Sequence, residues 1–272
     1  MKRINISLKE IKKKYYSENK SQEQIAKEFN VSQWVISQRM KEQKLKTKSK
    51  TRNLGKKKYS VNEYLFDKIT PLSAWILGWL VSDGYIANNR ITLHLAQKDI
   101  DVLIKIKHYM EYTGPIYKQN ATLNNKIFKQ ASLSISSKRL CKKLLQYGIV
   151  SPKTNKEVFP KVIIKSNKEN KKAFIRGIFE GDGSILIDKN KSVLFQIVGT
   201  KQLLEEIQLI LMKILHVPKT KLTKNSKRNH YALRYRGKKN VFKILNWVYN
   251  KHNNFLMNRK YIKFYEIKGS LT

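Results

Sequence analysis

Residues 74–86 read AWILGWLVSDGYI and residues 173–185 read AFIRGIFEGDGSI. Each is an apolar run with an internal glycine that ends in Asp-Gly and passes into a strand-like pair. The two aspartates, Asp83 and Asp182, stand 99 residues apart. The segments C-terminal to them repeat as well. In the first half YIANN and RITLHLAQ read as strands, KDIDVLIKIKHYM as a helix, IYKQNA and KIFKQASLSISS as strands, and SKRLCKKLLQYG as a helix. In the second, SILIDKN, KSVLFQIVG, TKQLLEEIQLILMKIL, KLTKN, HYALRYRG and KKNVFKILNWVYN keep the same order. Both halves read αββαββα. One repeat of so long a unit predicts two fused subdomains in an α+β, pseudo-twofold core, not a solenoid.

Gly78 and Ser82, like Gly177 and Gly181, are small residues four apart on one helical face, a spacing that lets two helix backbones approach closely. If the helices pair in parallel through those faces, Asp83 and Asp182 arrive side by side at the bottom of the interface. Gly84 is expected in the left-handed conformation that ends many helices. A carboxylate there faces the negative end of the helix dipole, so a nearby cation should offset it. Two adjacent carboxylates either share a proton or bind a divalent ion. Core packing and a turn explain either stretch alone; their recurrence in register with the repeat favours a site.

Charge narrows the choice. The chain has 57 Lys+Arg against 19 Asp+Glu, a formal net charge of +38 spread along its length. A polyanion is the expected partner, with a basic ribosomal or membrane-surface protein as the plainer alternative. In such a chain a divalent ion between carboxylates suits metal-dependent phosphoryl transfer. The single Cys141 excludes an internal disulfide framework and a cysteine zinc site, which predicts an intracellular, reducing setting: cytoplasm, nucleoid or an organelle matrix. No apolar run reaches the ~18 residues of a membrane span. The N-terminus, MKRINISLKEIKKKYY, lacks the apolar stretch of a secretory signal. His94, His108, His216, His230 and His252 lack metal-ligand spacing, and Trp75, Trp79, Phe174, Phe179 and Trp247 are expected in the core.

Four segments are expected: residues 1–45, a basic linker at 46–62, and the two subdomains at 63–160 and 161–272. In the first, Ser7, Ser21 and Ser32 are candidate caps of three helices, with Asn30-Val31 as the turn. The apolar set Ile25, Ala26, Phe29, Val31, Val35, Ile36 and Met40 in SQEQIAKEFNVSQWVISQRM resembles a helix-turn-helix of the Hin/resolvase type. The resemblance implies that Gln33, Trp34, Ser37, Gln38 and Lys41 face the DNA major groove.

ILGWLVSDG at 76–84 and IRGIFEGDG at 175–183 resemble the motif of LAGLIDADG homing endonucleases, in the single-chain form with two motifs. The resemblance spans roughly residues 70–265. It implies that Asp83 and Asp182 bind Mg²⁺ or Mn²⁺ and that Glu180 does not, while Val81 stands where an acidic residue often occurs. It also implies saddle-shaped antiparallel sheets in the major groove, with alternate side chains facing the bases. Arg90, Thr92 and His94 in RITLHLAQ, and Arg234 and Arg236 in HYALRYRG, are then the outward residues. Gln97-Lys98 resembles the pair that the family places beside its active site, the amide ordering water and the ammonium stabilising the strained phosphate. Lys201 is the weaker counterpart in the second half.

The function so implied is a monomeric, site-specific double-strand DNA endonuclease of the intron-homing kind. It would hydrolyse one strand per active site across the minor groove and leave 3′ overhangs. An RNA-binding group I intron maturase and a transcription regulator on the same fold are the rivals. An intein is not expected, since the chain lacks a splicing Cys or Ser at its start and ends GSLT.

Overall fold

The computed structural model describes residues 7–45, 47, 58–123, 126–149, 157–187, 192–224, 230–252 and 254–269. The chain separates into two compact units, Met1–Lys57 and Lys58–Thr272. Most of the expected linker, 46 and 48–57, lies outside the described residues, as does the boundary stretch 150–156.

The N-terminal unit has α1 (Leu8–Lys12), continued by a π-helical turn at Lys13–Ser17, then α2 (Gln22–Glu28) and α3 (Gln33–Glu42). Ser7 accepts a hydrogen bond from the Glu10 amide, and Ser21 forms a reciprocal capping box with Gln24. Ser32 occupies the cap position of α3 but makes no side-chain cap bond. Asn30 takes φ 49°, the left-handed turn that lets α3 leave α2 sharply. Ile11, Tyr15, Ile25, Ala26, Ile36 and Met40 close a small core, with Phe29, Val31 and Leu45 packed against it.

The larger unit contains two copies of one motif. The first runs α4 (Pro71–Ser82), β1 (Gly84–Ala87), β2 (Arg90–Ala96), α5 (Ile100–Tyr109), β3 (Ile116–Leu123), β4 (Lys126–Ser136) and α6 (Lys138–Gln146). After the short α7 (Lys161–Ile164), the second runs α8 (Lys168–Asp182), β5 (Gly183–Ile187), β6 (Val193–Gly199), α9 (Lys201–Leu215), β7 (Thr223–Lys224), β8 (Tyr231–Arg236) and α10 (Lys238–Tyr249). Each copy folds into a four-stranded antiparallel sheet, in the orders β1-β2-β4-β3 and β5-β6-β8-β7. A two-residue turn with both Asn88 and Asn89 left-handed joins β1 to β2, the geometry that matches strand twist. In β2, Ile91, Leu93 and Leu95 face inward while Arg90, His94 and Ala96 are exposed.

The two copies meet at α4 and α8. Pro71 and a Thr70–Ser73 capping box start α4, and Asn167 caps α8. Every residue of α4 from Ser73 to Val81 is buried, which suits a helix that is apolar on all sides. A Cβ on Gly78 would collide with the Phe174 carbonyl and lie 2.8 Å from Gly177 Cα; one on Gly177 would collide with the Trp75 carbonyl and lie 3.0 Å from Gly78 Cα. The pairing Gly78–Gly177, then Ser82–Gly181, runs in the same direction along both helices, so they are parallel. Trp75, Trp79, Phe174 and Phe179 are fully buried around this contact, and Trp247 is partly buried.

Two features differ from the sequence-based expectation. Gly84 opens β1 and is not left-handed; among the described glycines only Gly148 and Gly237 have positive φ. The glycine is needed because a Cβ at 84 would lie 2.7 Å from Leu80 Cα, so the strand leaves the helix with no room for a side chain. A further helix, α11 (Asn258–Gly269), comes after α10 and packs Phe264 against Phe242 and Tyr249.

Gly78→Val is expected to destabilise the larger unit by about 3 kcal/mol, because the neighbours it meets are helix backbone that cannot yield. Gly269→Ala, with open space around its Cα, is expected to be near neutral. Urea melts of the two variants check the contrast.

Candidate active site and nucleic-acid face

The glycine contact continues to the helix ends. A Cβ on Gly181 would collide with Ser82 Oγ and lie 2.6 Å from Asp83 Oδ2. The Asp83 carboxylate therefore rests against the backbone of the residue that precedes Asp182. Asp83 is the half-buried cap residue of α4, and Asp182 is the exposed last residue of α8.

The cation that the dipole argument requires is Lys260. Its ammonium lies in the first turn of α11, is buried, and donates to the carbonyls of Phe179 (2.8 Å), Glu180 (2.6 Å) and Gly183 (2.6 Å). It thus adds a charged donor at the C-terminal end of α8, where the Gly183 amide already donates to the Phe179 carbonyl. Burial lowers its pKa to about 8, against the opposing pull of Glu180, Asp83 and Asp182. Nothing in the sequence separates Lys260 from the other basic residues, and sequence reasoning missed it.

Glu180 points elsewhere. Trp75 Nε1 donates to one of its oxygens at 2.7 Å and the Met257 amide to the other at 2.9 Å. It is a buried strut between α4, α8 and the segment before α11. Arg176, one turn earlier, donates to the carbonyls of Val248, His252 and Phe255 and holds the same segment.

Gln97 and Lys98 begin a 3₁₀ turn, Gln97–Asp99, directly after β2. Gln97 is half-buried and Lys98 exposed. Both line a cleft of about 700 Å³ with Ala96, Ala121, Phe128, Lys129 and Gln130. Asp99 of this turn is held by both Nε (2.8 Å) and Nη2 (3.0 Å) of Arg259. Consecutive residues of α11 therefore bind the two halves: Arg259 the turn carrying Gln97 and Lys98, Lys260 the end of the helix carrying Asp182.

Lys201 is the exposed first residue of α9, 3.7 Å from Glu205. Strand register refines its equivalence. Gly84 pairs with Leu93 and Gly183 with Ile197, so Gln97 corresponds to Lys201 and Lys98 to Gln202. The second half carries the amide–ammonium pair in reverse order.

On the sheets, Arg90 Nε donates to Ser136 Oγ at 3.3 Å, Thr92 and Ser134 share a 3.3 Å hydroxyl contact, and His94 is exposed opposite Ser132. Arg234 is half-buried with Nε on Gln196 Oε1 at 2.6 Å, and Arg236 is exposed. In the separate N-terminal unit Gln33, Trp34, Ser37 and Lys41 are exposed along α3 and Gln38 is half-buried, Trp34 being 67% exposed. Among the described residues no helix is long and apolar enough to cross a membrane.

Comparison with known proteins finds one family match and a set of similar solved structures. Residues 169–246 match the family profile described as a LAGLIDADG-like domain. The preceding half has the same element order and sheet topology as the matched residues. Similar solved structures include mesophilic variants of the homing endonuclease I-DmoI, at 19% identity and TM-score 0.47, covering 69% of this chain and 95% of that one. The homing endonuclease I-GzeII in complex with its DNA target is 12% identical with TM-score 0.48, covering 74% and 89%. Full-length DUF199/WhiA from Thermatoga maritima is 13% identical with TM-score 0.46, covering 78% and 65%. No curated protein sequence matches the chain.

Burial lifts the Glu180 carboxyl to about 7. The stability this group contributes is complete below its ordinary 4.5 and is lost as pH rises through about 7. Lys260 acts in the opposite sense, its contribution being complete above 10.5 and lost as pH falls through about 8. Glu180→Gln is expected to remove a fall in unfolding free energy on the order of 3 kcal/mol between pH 4.5 and about 7. Urea melts of wild type and variant across that range provide the check.

Proposed function

We propose that the chain is a site-specific double-strand DNA endonuclease whose phosphodiester hydrolysis depends on a divalent cation held between Asp83 and Asp182. The observation that carries this reading is the glycine-mediated contact that sets the Asp83 carboxylate against the backbone next to Asp182, in a unit whose sheets also carry Arg90, Thr92, His94, Arg234 and Arg236 on their outer sides. The donor set fits Mg²⁺ or Mn²⁺: two carboxylates offer hard oxygens, and among the described residues no larger group of His, Cys, Asp or Glu competes. Mg²⁺ characteristically takes one or two carboxylates and fills its remaining positions with water and phosphate oxygens. When bound, the cation supplies Lewis-acid activation of water and charge neutralisation at the leaving oxygen.

The chain's own residues do the remaining work. Lys260 donates to carbonyls at the end of α8 and offsets the helix dipole beside the two aspartates. Gln97 orders water by its amide, and the exposed Lys98 ammonium stabilises charge that develops on the phosphate. Lys201 has the corresponding place in the second half. Arg90, Thr92, His94, Arg234 and Arg236 read base edges from the sheets. Gln33, Trp34, Ser37, Gln38 and Lys41 contact DNA from the N-terminal unit, and tethering raises the effective concentration of each module for the other. The active species is a monomer, since one chain carries both aspartates.

The test is a plasmid bearing the rejoined sequence that flanks the protein's own gene, incubated with Mg²⁺ or EDTA. Metal-dependent cutting at one position is expected, with double-strand cleavage by Asp83→Asn and Asp182→Asn reduced about a thousandfold. Tight binding without cutting, unchanged by EDTA and by both substitutions, would refute the endonuclease and leave the regulator; tight binding of the intron transcript alone would leave the maturase.

Trp34→Ala is expected to weaken DNA binding about tenfold with an unchanged melting temperature, because the indole is exposed on α3 and contributes little to the small core. Fluorescence anisotropy beside a thermal melt measures both.

A further inference from the structure

The two sheets present different chemistry at positions that the repeat makes equivalent. In the second sheet Gln196 pairs with Arg234 across β6 and β8, and Gln196 Oε1 holds Arg234 Nε at 2.6 Å. In the first sheet the matching positions are Thr92 and Ser134, whose hydroxyls meet at 3.3 Å. The equivalence comes from register, since Leu93 pairs with Leu133 as Ile197 pairs with Leu233.

A guanidinium is a rigid planar fork. With Nε engaged by Gln196, the plane is fixed and the terminal Nη1/Nη2 edge is left for a ligand. That edge matches the O6 and N7 acceptors of guanine in the major groove, whereas two short hydroxyls contacting each other offer no such fork.

We propose that Arg234 is a specificity-determining residue that reads one guanine, that Gln196 is its positioning residue, and that the recognised sequence departs from palindromy at the position facing Thr92 and Ser134. The proposal rests on the DNA-recognition role given to the sheets under Proposed function and adds to it a base identity and an asymmetry.

The experiment enriches bound sequences from a randomised double-stranded DNA pool in EDTA, using full-length wild type, Arg234→Ala, Gln196→Ala and Thr92→Ala, each first matched to wild type in thermal melting. The expected wild-type motif holds one guanine preferred roughly ten- to hundredfold over other bases. Arg234→Ala loses that preference, Gln196→Ala reduces it, and Thr92→Ala leaves it intact. If Arg234→Ala keeps every base preference and only weakens binding to all sequences with a shallower salt dependence, Arg234 contacts phosphate and the proposal falls. If wild type enriches no sequence at all, DNA recognition itself fails, a result distinct from the loss of one position.

Discussion

The backbone contact between α4 and α8 is the constraint on which the rest of the larger unit depends. Two helices that touch through Gly78 and Gly177 cannot slide without driving a carbonyl into a Cα. Their ends are therefore fixed relative to each other, and each end passes at once into the first strand of a sheet. The separation of the aspartates and the joining of the two sheets are one geometric fact. The cores of both halves are also continuous through this pair, so the large buried cluster runs from Phe66 to Ile267 without a boundary between repeats.

The C-terminal end of α8 gathers helix carbonyls and a carboxylate. The chain answers with a buried lysine, although this takes an ammonium out of water. Lys260 satisfies three carbonyls, which is why the site tolerates it. Its neighbour Arg259 grips Asp99 in the first half, and Lys105 of α5 donates to the Leu256 carbonyl (2.6 Å) and to Asn258 Oδ1 (2.8 Å). The last helix thus clasps both repeats at the turns that carry the proposed catalytic residues.

The sequence made the repeat, its strands and helices, and the glycine-faced helix pair legible, because each is written as a local period or spacing. β2 declares its inward face by alternation, and α4 by being apolar throughout. What stayed hidden depends on tertiary distance. Gly84 looks like a helix terminator, but the demand on it is steric, set by Leu80 one turn back. Lys260 is a lysine in a chain with 57 Lys+Arg, and only burial against α8 distinguishes it. The order of Lys201 and Gln202 becomes clear only when strand register aligns the halves. The same basic character concealed α11, whose apolar residues Tyr261, Phe264 and Ile267 are spaced as a helix among charges.

The duplication has been kept in some places and lost in others, and the physics sorts them. At the helix pair both copies must present a small residue, since a Cβ on either side meets backbone, so the glycines recur. The aspartates recur at the same interface. On the outer sheet faces Thr92, Ser134, Gln196 and Arg234 are only half-buried, and the pair Thr92–Ser134 of one half stands where the other has Gln196–Arg234. Symmetry is imposed where backbones touch and relaxed where side chains face outward. A protein built this way can repeat its two carboxylates at one interface while its outer sheet faces differ, so the proposed chemistry and the proposed recognition vary separately, which is what fusing the two halves into one chain permits.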